Sequence, residues 1–540
     1  MSDLETAARQ WLAIDPDPAT RAEVEALLAD HDEAGLADRF GTRLVFGTAG
    51  LRGPLGAGPN RMNRVVVMQT SAGLARFLAR RSGTPTAVVG HDARHNSARF
   101  ARDAAEVLAA AGVAVVLLPR ALPTPVLAFA VRALGADAGV MITASHNPAP
   151  DNGYKLYLGG PDEGAQLVAP DEAAVLAEIE HVVAAGGLPP TSSEVRIAGE
   201  DLLDRYVAAT AALAATGARP ALPWVYTPMH GVGLETVRRV LDAAGLPAPE
   251  VVPSQAQPDP DFPTAPFPNP EEPGTLDPAF AAATASKAAL VLANDPDADR
   301  LAVALPEGDG YRRLTGNEVG LLLGWSVAEQ ADSGTLATSI VSTPGLRRIA
   351  DRFGLGYTET LTGFKWIGRA RGLVFGFEEA LGYLVAPAIV HDKDGISALV
   401  VLLREALRLA DRGSDLTTRL AEIEAAIGRF DSDQVSVRVV DLARIAALMA
   451  RLRSDPPTAV GGLPVTAVDD LLEGGELPRS DVLRISFDAG ARLVVRPSGT
   501  EPKLKAYLDV WSDAGSPEER RAETDGRLRA LRDGVRALLA

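Results

Sequence analysis

The sequence predicts an α/β protein of three α/β domains followed by a smaller C-terminal α+β domain, and three observations carry that prediction. The stretch "TAVVG", "SARFARDAAEVLAAAG", "VAVVLLP" (86–119) runs from a short β-prone segment through a helical spacing with a glycine stop to a second apolar strand. Such a unit belongs to a parallel sheet covered by helices. The pattern restarts in "LPWVYTPMHGVGLETVRRVLDAAGLPAPEVVPS" (222–254) and again in "GTLATSIVSTPGLRRIADRFGLGYTETLTGFKWIG" with "GLVFGFEEALGYLVA" (334–386). After about residue 430 the texture changes: "RLVVR" and "LKAYLDV" alternate as antiparallel strands do, and a long helix closes the chain. The joins divide the sequence into residues 1–200, 201–305, 306–430 and 431–540. Within the first part, "MSDLETAARQWLAIDPDPATRAEVEALLAD" reads as two short amphipathic helices joined by a proline-containing turn. "QAQPDPDFPTAPFPNPEEPG" (255–274) reads as an exposed proline- and acid-rich connection.

The 540 residues carry 70 acidic against 53 basic side chains, a formal net charge of -17. An acidic field of that size argues against nucleic acid or an anionic membrane as the main partner, while leaving room for a small anion held by local donors. With no cysteine, disulfides, thiolate nucleophiles and sulfur-ligated metals are excluded. The N-terminus lacks a signal-peptide pattern and no segment resembles a membrane span, so a cytoplasmic monomer or homodimer is expected.

Polar constellations follow the apolar strands. In "VLANDPDADRLAVA", Asp295, Asp297 and Asp299 alternate directly after an apolar run. In an extended segment these carboxylates project to one side and repel each other unless a cation neutralises them. Solvated turns and calcium loops use the same spacing, but the glycine and distal glutamate of a calcium loop are missing. A hard divalent ion, magnesium for a phosphate substrate, fits best. "MITASHNPAPDNGYKLYLGG" (140–159) ends a strand on Thr143, Ser145, His146 and Asn147, with Lys155 following. Ser145 suits a helix cap as well as a nucleophile needing help from a base or metal. His146 suits positioning of the loop as well as proton exchange. "RLVVRPSGTEPKLKAYLDV" sets Arg496, Ser498, Gly499 and Thr500 after a strand. That is an arginine fork with hydroxyls and amides for a phosphate, or a plain Pro-Ser-Gly turn. In "GFEEALGY", Glu378 and Glu379 offer one acceptor for sugar hydroxyls and one structural partner. In "LTGFKWIG", Lys365 offers a cation for phosphate or proton transfer. A surface ion pair would account for either loop.

The order and spacing of "GTAGLRGPLGAGPNRMN", "TASHNP" with "DNGYK", "DPDADR", "GFEEALGY" and "RPSGTEPK" resemble the alpha-D-phosphohexomutase family, over roughly residues 40–520. Within it the chain is similar to the long phosphoglucomutase branch that includes phosphopentomutases and sugar-bisphosphate synthases. The resemblance implies four domains around a central cleft, the first three with mixed sheets. It implies a phosphorylated Ser145, and magnesium on Asp295, Asp297, Asp299 and a phosphoserine oxygen. Arg300 belongs to the same motif, and Arg52 lies near the active centre. Glu378, with Glu379 beside it, matches the sugar loop. Arg496, Ser498, Gly499 and Thr500 match the loop that holds the phosphate not being transferred. Lys365 matches a sugar or phosphate contact region, and Lys155, His146 and Lys365 are candidates for acid–base work. The expected reaction interconverts glucose 1-phosphate and glucose 6-phosphate through glucose 1,6-bisphosphate. Phosphomannomutase, phosphopentomutase and glucose-1,6-bisphosphate synthase are the alternatives; a phosphatase or a non-catalytic sugar-phosphate sensor stands further off. One departure is Ala380, where the family's sugar loop has a serine, with Tyr383 as a substitute contact.

Overall fold

The computed structural model describes residues 2–47, 50–214, 221–438, 442–488, 490–497 and 503–539. Two compact units form, residues 1–313 with 386–407, and residues 314–385 with 408–540.

The first unit holds two mixed sheets. The larger runs in the order Phe46–Gly47, Gly50–Pro54, Asp151–Leu158, Ala138–Ile142, Thr86–His91, Ala114–Leu117, Arg196–Ile197, with Ala165–Gln166 added on Asp151–Leu158. Its parallel part is Ala138–Ile142, Thr86–His91, Ala114–Leu117 and Arg196–Ile197, whereas Asp151–Leu158 pairs antiparallel with Ala138–Ile142, Met141 opposite Lys155. All five residues of Ala138–Ile142 are buried, as expected of a central strand covered on both faces. The second sheet runs Glu250–Val251, Trp224–Thr227, Leu290–Ala293, Ala302–Glu307, Gly310–Arg313. The join expected near 305 falls inside this sheet, because Ala302–Glu307 pairs antiparallel with Gly310–Arg313 as a hairpin.

The two helices expected in residues 1–30 form, Asp3–Ile14 and Pro18–Ala29, and a third, Glu33–Phe40, follows them before the first sheet. Ser2 and Glu5 form a capping box at the start. Ala8, Trp11, Val24 and Leu36 then join the core of the first sheet with Val65 and Val66.

The second unit holds a sheet ordered Gly356–Thr360, Thr335–Ser339, Leu373–Glu378, Gly382–Leu384, parallel except for the last strand. It also holds an antiparallel sheet ordered Arg429–Arg438, Lys503–Ser512, Ala491–Pro497, Leu483–Phe487, Leu463–Asp470, Ala459–Val460. The closing helix Pro517–Leu539 seats Leu531, Val535 and Leu539 in that sheet's core. Among the described residues, no helix is long and apolar enough to cross a membrane.

Candidate active site

Ser145 leaves the carboxyl end of Ala138–Ile142, the place where open α/β sheets bind ligands. It is 1% exposed, and its φ of 54° lies in the left-handed region, uncommon for a residue with a side chain. That conformation is held from below. The Thr143 hydroxyl accepts from the Ser145 amide (2.8 Å) and donates to Asp92 Oδ2 (2.6 Å). Arg94 donates through Nη2 to the carbonyls of Ser145 and Asn147, both at 2.6 Å, and through Nη1 to those of Pro148 (2.9 Å) and Asp151 (3.1 Å). Sequence reasoning missed Arg94 and Asp92. Their only signal was the turn "HDARHNS" at the end of a neighbouring strand.

The Ser145 hydroxyl donates to Asp295 Oδ2 at 2.7 Å and lies 3.1 Å from His146 Nδ1. Burial, followed by the guanidiniums of Arg300 and Arg52, holds the imidazole well below its ordinary pKa, so His146 is neutral at pH 7. Arg52, on Gly50–Pro54, reaches Asn147 Oδ1 at 3.4 Å.

The three aspartates converge, their nearest oxygens all within 4.8 Å of one another, yet not by strand alternation. Residues 294–300 form a turn with Ala298 at φ 57°, and this turn brings the carboxylates together. All three are at most 1% exposed. Lys155 Nζ, on Asp151–Leu158, donates to Asp297 Oδ2 (2.6 Å) and Asp299 Oδ2 (2.7 Å) rather than to the serine. Thr124 donates to Asp297 Oδ2 at 2.6 Å, and Lys393 Nζ lies 3.5 Å from Asp299 Oδ2; neither residue was foreseen. Arg300 Nε stands 3.9 Å from both Asp295 and Asp299. Burial and the two neighbouring carboxylates push Asp295 well above its usual range. Burial also pushes Asp297 and Asp299 up, but Lys155 with Thr124 at Asp297, and Lys155 with Lys393 and Arg300 at Asp299, together outweigh it and both end below. Oδ1 of Asp297 and Oδ1 of Asp299 are buried without a hydrogen-bond partner. Two unused, water-excluded carboxylate oxygens beside a third carboxylate are the donor set of a hard divalent cation, and the residues present fit magnesium.

The segment 255–274 is only in part the exposed connection expected. Phe262, Ala265 and Pro268–Pro270 are buried, with the Arg94 guanidinium 4.9 Å above the Phe262 ring. Phe267 lies near-parallel to His146, centroids 6.4 Å apart.

In the second unit, Glu378 ends Leu373–Glu378. Glu379 is the structural member of the pair, accepting from the hydroxyls of Ser342 (2.9 Å) and Ser339 (3.3 Å). Tyr383 cannot substitute for the missing serine, because it is fully buried and its hydroxyl donates to the Gly316 carbonyl. Lys365 sits on the short helix Phe364–Ile367. Arg496, near the end of Ala491–Pro497, hydrogen-bonds Tyr507. Burial, Glu379 and Glu378 raise that phenol's pKa, so the glutamates and Arg496 share one electrostatic neighbourhood. Ser498, Gly499 and Thr500 lie outside the described residues.

Four consecutive segments match the phosphoglucomutase/phosphomannomutase domains. Residues 43–184, 204–308 and 315–425 match alpha/beta/alpha domains I, II and III, and 435–524 match the C-terminal domain. The chain is 48% identical over 454 residues to a Haemophilus influenzae protein named "Probable phosphomannomutase", covering 83% of this chain and 93% of that one. The chain belongs to the alpha-D-phosphohexomutase family. This phosphohexomutase is also 36% identical over 593 residues to the phosphopentomutase of Mus musculus, covering 98% of this chain and 94% of the relative. Its fold is that of a crystallised phosphoglucomutase/phosphomannomutase family protein from Burkholderia thailandensis (TM-score 0.68, 21% identity, 91% of this chain and 97% of that one). Like its family, it is an intramolecular phosphotransferase, an isomerase. All three N-terminal helices precede residue 43, where the matched domains begin.

Proposed function

We propose that this phosphohexomutase is a phosphoserine enzyme that moves a phosphoryl group between the anomeric and terminal hydroxyls of an aldose, with glucose 1-phosphate and glucose 6-phosphate as the leading pair. The observation that carries the reading is the 2.7 Å hydrogen bond from Ser145 Oγ to Asp295, inside a buried cluster of three carboxylates. Phospho-Ser145 gives its phosphoryl group to the free hydroxyl of the monophosphate, making a bound bisphosphate. That intermediate reverses end for end, and its other phosphate returns to the serine. Positioning and charge compensation supply most of the catalysis in such transfers. Neutral His146 exchanges the proton at Ser145 Oγ, since Lys155 is committed to Asp297 and Asp299. Arg52 and Arg300 balance phosphate charge. Magnesium, held by Asp295, Asp297, Asp299 and a phosphoserine oxygen, would supply electrostatic stabilisation of the transferring group. Glu378 accepts from sugar hydroxyls, while Arg496, with Ser498, Gly499 and Thr500, holds the phosphate that stays; Lys365 contacts the sugar or that phosphate.

A second reading is favoured by Ala380. Without a hydroxyl at that position the sugar loop holds a hexose less firmly, and a pentose phosphate becomes the competing substrate. The relatives named phosphopentomutase, probable phosphomannomutase and glucose 1,6-bisphosphate synthase support that competition. Phosphorus NMR with magnesium, a trace of glucose 1,6-bisphosphate, and the 1-phosphates of glucose, mannose, ribose and deoxyribose decides among them. Isomerised phosphate without comparable inorganic phosphate, lost in Ser145→Ala, is the expected result. Accumulating inorganic phosphate would mean a phosphatase, and binding without turnover a sensor.

A further inference from the structure

Phe267 is an exposed phenyl ring, 39% accessible, in a segment otherwise rich in proline and acid. It lies over the imidazole of His146 at a centroid distance of 6.4 Å and 25° between planes. The same segment also meets, at two points, the turn at 92–97 that braces the serine loop. Phe262 packs its buried ring under the Arg94 guanidinium that holds the Ser145 and Asn147 carbonyls. Asp261 accepts from His95 at 2.7 Å, next to Arg94. Phe262 does so at φ 46°, a conformation unfavourable for a bulky residue and retained only where surroundings over-determine it. Those surroundings are a stiff base. Gln255, fully buried, accepts from Thr227 (2.6 Å) and donates to Thr264 (2.9 Å) and to the Thr275 carbonyl (3.2 Å). His230 Nε2 meets the Thr264 hydroxyl at 2.8 Å.

We propose that residues 255–275 are a strap that fixes the serine loop from the neighbouring sheet, and that Phe267 is a positioning residue acting through His146. Its ring holds the imidazole toward Ser145 Oγ and covers that side of the serine against water. The inference rests on the phosphoserine reading above. On transfer to sugar, the Ser145 Oγ–P bond breaks and a sugar O–P bond forms, the sugar's proton passing by way of His146 to Ser145 Oγ. On loss to water, a water oxygen bonds the phosphorus instead, its proton goes to Ser145 Oγ, and inorganic phosphate leaves. An imidazole held in place and a covered serine favour the first outcome.

The test uses the full chain as wild type, Phe267→Ala and Phe267→Tyr, the last keeping the ring. Ser145 is charged with labelled glucose 1,6-bisphosphate. Phe267→Ala is expected to lower kcat roughly tenfold with KM changed less than about threefold, and to raise the fraction of label released as inorganic phosphate about fivefold. Phe267→Tyr is expected to stay within about twofold of wild type on each measure, since the ring remains. Unchanged kcat and partition in Phe267→Ala, or equal losses in Phe267→Tyr, overturn the proposal. So does a loss of stability alone with the partition of the folded enzyme intact. If wild type takes no label, the phosphoserine reading fails, and the strap is judged by NMR alone. A nuclear Overhauser contact between the His146 ring and the Ser145 β protons is expected in wild type and Phe267→Tyr and absent in Phe267→Ala. Its persistence in Phe267→Ala refutes the strap whatever the activity.

Discussion

Arg94→Lys tests how the serine loop is held. Arg94 is 4% exposed and its fork serves four carbonyls, at 2.6, 2.6, 2.9 and 3.1 Å. Lysine keeps the charge near Asp92, which stands 3.5 Å from the guanidinium, but its single nitrogen cannot reach all four acceptors. Each hydrogen bond from a charged donor contributes about 1.5–3 kcal/mol net, so losing two removes about 3–6 kcal/mol. Pro148 is exposed and Asp151 half-buried, so water re-satisfies part of this, and the net loss is about 2–3 kcal/mol. Hydrogen exchange of the peptide spanning residues 143–153 reads that loss directly. Its amides include Ser145, bonded to Thr143, and Asn147, bonded to the Ala144 carbonyl. At about 1.4 kcal/mol per decade, exchange should accelerate roughly 30- to 150-fold, with little change in the sheet of the second unit. Exchange within about threefold of wild type would show that the loop holds its left-handed serine without Arg94 and refute the reasoning.

The remaining predictions concern charge, specificity and pH. Lys155→Met strands two buried carboxylates, so without divalent ions it should destabilise the first unit by about 3–5 kcal/mol. Magnesium at a hundred times its Kd should restore about 2.7 kcal/mol, measured by thermal unfolding with and without chelator; no magnesium-dependent shift would contradict the donor set. Ala380→Ser adds a hydroxyl worth about 0.5–1.5 kcal/mol if it meets the sugar, so kcat/KM for glucose 1-phosphate over ribose 1-phosphate should rise about two- to tenfold. An unchanged ratio would remove Ala380 from the specificity argument. Burial raises the Asp394 carboxyl above its ordinary value although Ser397, Tyr206 and the Ile396 amide donate to it. The folded protein therefore holds that proton more tightly than the unfolded chain. The residue's contribution is fully present below about pH 4 and lost as pH rises through the folded value. The urea midpoint of wild type minus that of Asp394→Asn should fall across that window, and a pH-independent difference would count against it.

How much was legible in the sequence depended on whether a feature is periodic or convergent. The apolar runs at 86–90 and 138–142 announced buried strands because a covered central strand has no polar face to alternate with; the run at 113–119 was equally apolar although its strand Ala114–Leu117 leaves Ala114 exposed. The antiparallel sheet near the C-terminus was legible through its period of two. The hairpin at 302–313 escaped because its outer strand, Gly310–Arg313, is partly exposed and carries no apolar signal. The third N-terminal helix, capped by Asp32, has only eight residues, about two turns, and so offers little periodic pattern to read. The segment 255–274 was misjudged in part, for a physical reason. Proline and acid composition reports on the chain's exposed atoms, whereas Phe262 meets Arg94, 168 residues away in sequence, and Phe267 meets His146, 121 residues away.

The site was legible where one short stretch supplies several groups, and hidden where distant stretches each supply one. Asp295, Asp297 and Asp299 stand out together, yet the reason they converge does not. Ala298 sits at φ 57° without being glycine, so nothing in its identity marks a turn. A Cβ on Gly231 would stand 2.3 Å from the Cα and the carbonyl oxygen of Pro296 in that turn, and Gly231 lies just before the helix Gly233–Ala244. That glycine, invisible as a site residue, is what lets the turn seat against the helix start. Ser145 repeats the logic, its left-handed backbone bonded through Thr143 to Asp92 and through its carbonyl to Arg94. Such conformations cost about 1–3 kcal/mol each and persist only when neighbours fix them. The nucleophile and the turn of the acidic cluster therefore carry strain at the two places where groups from separate strands must meet. Arg94, which holds the serine loop, and Gly231, which leaves room for the turn, lie outside the motifs that a reader of the sequence would select.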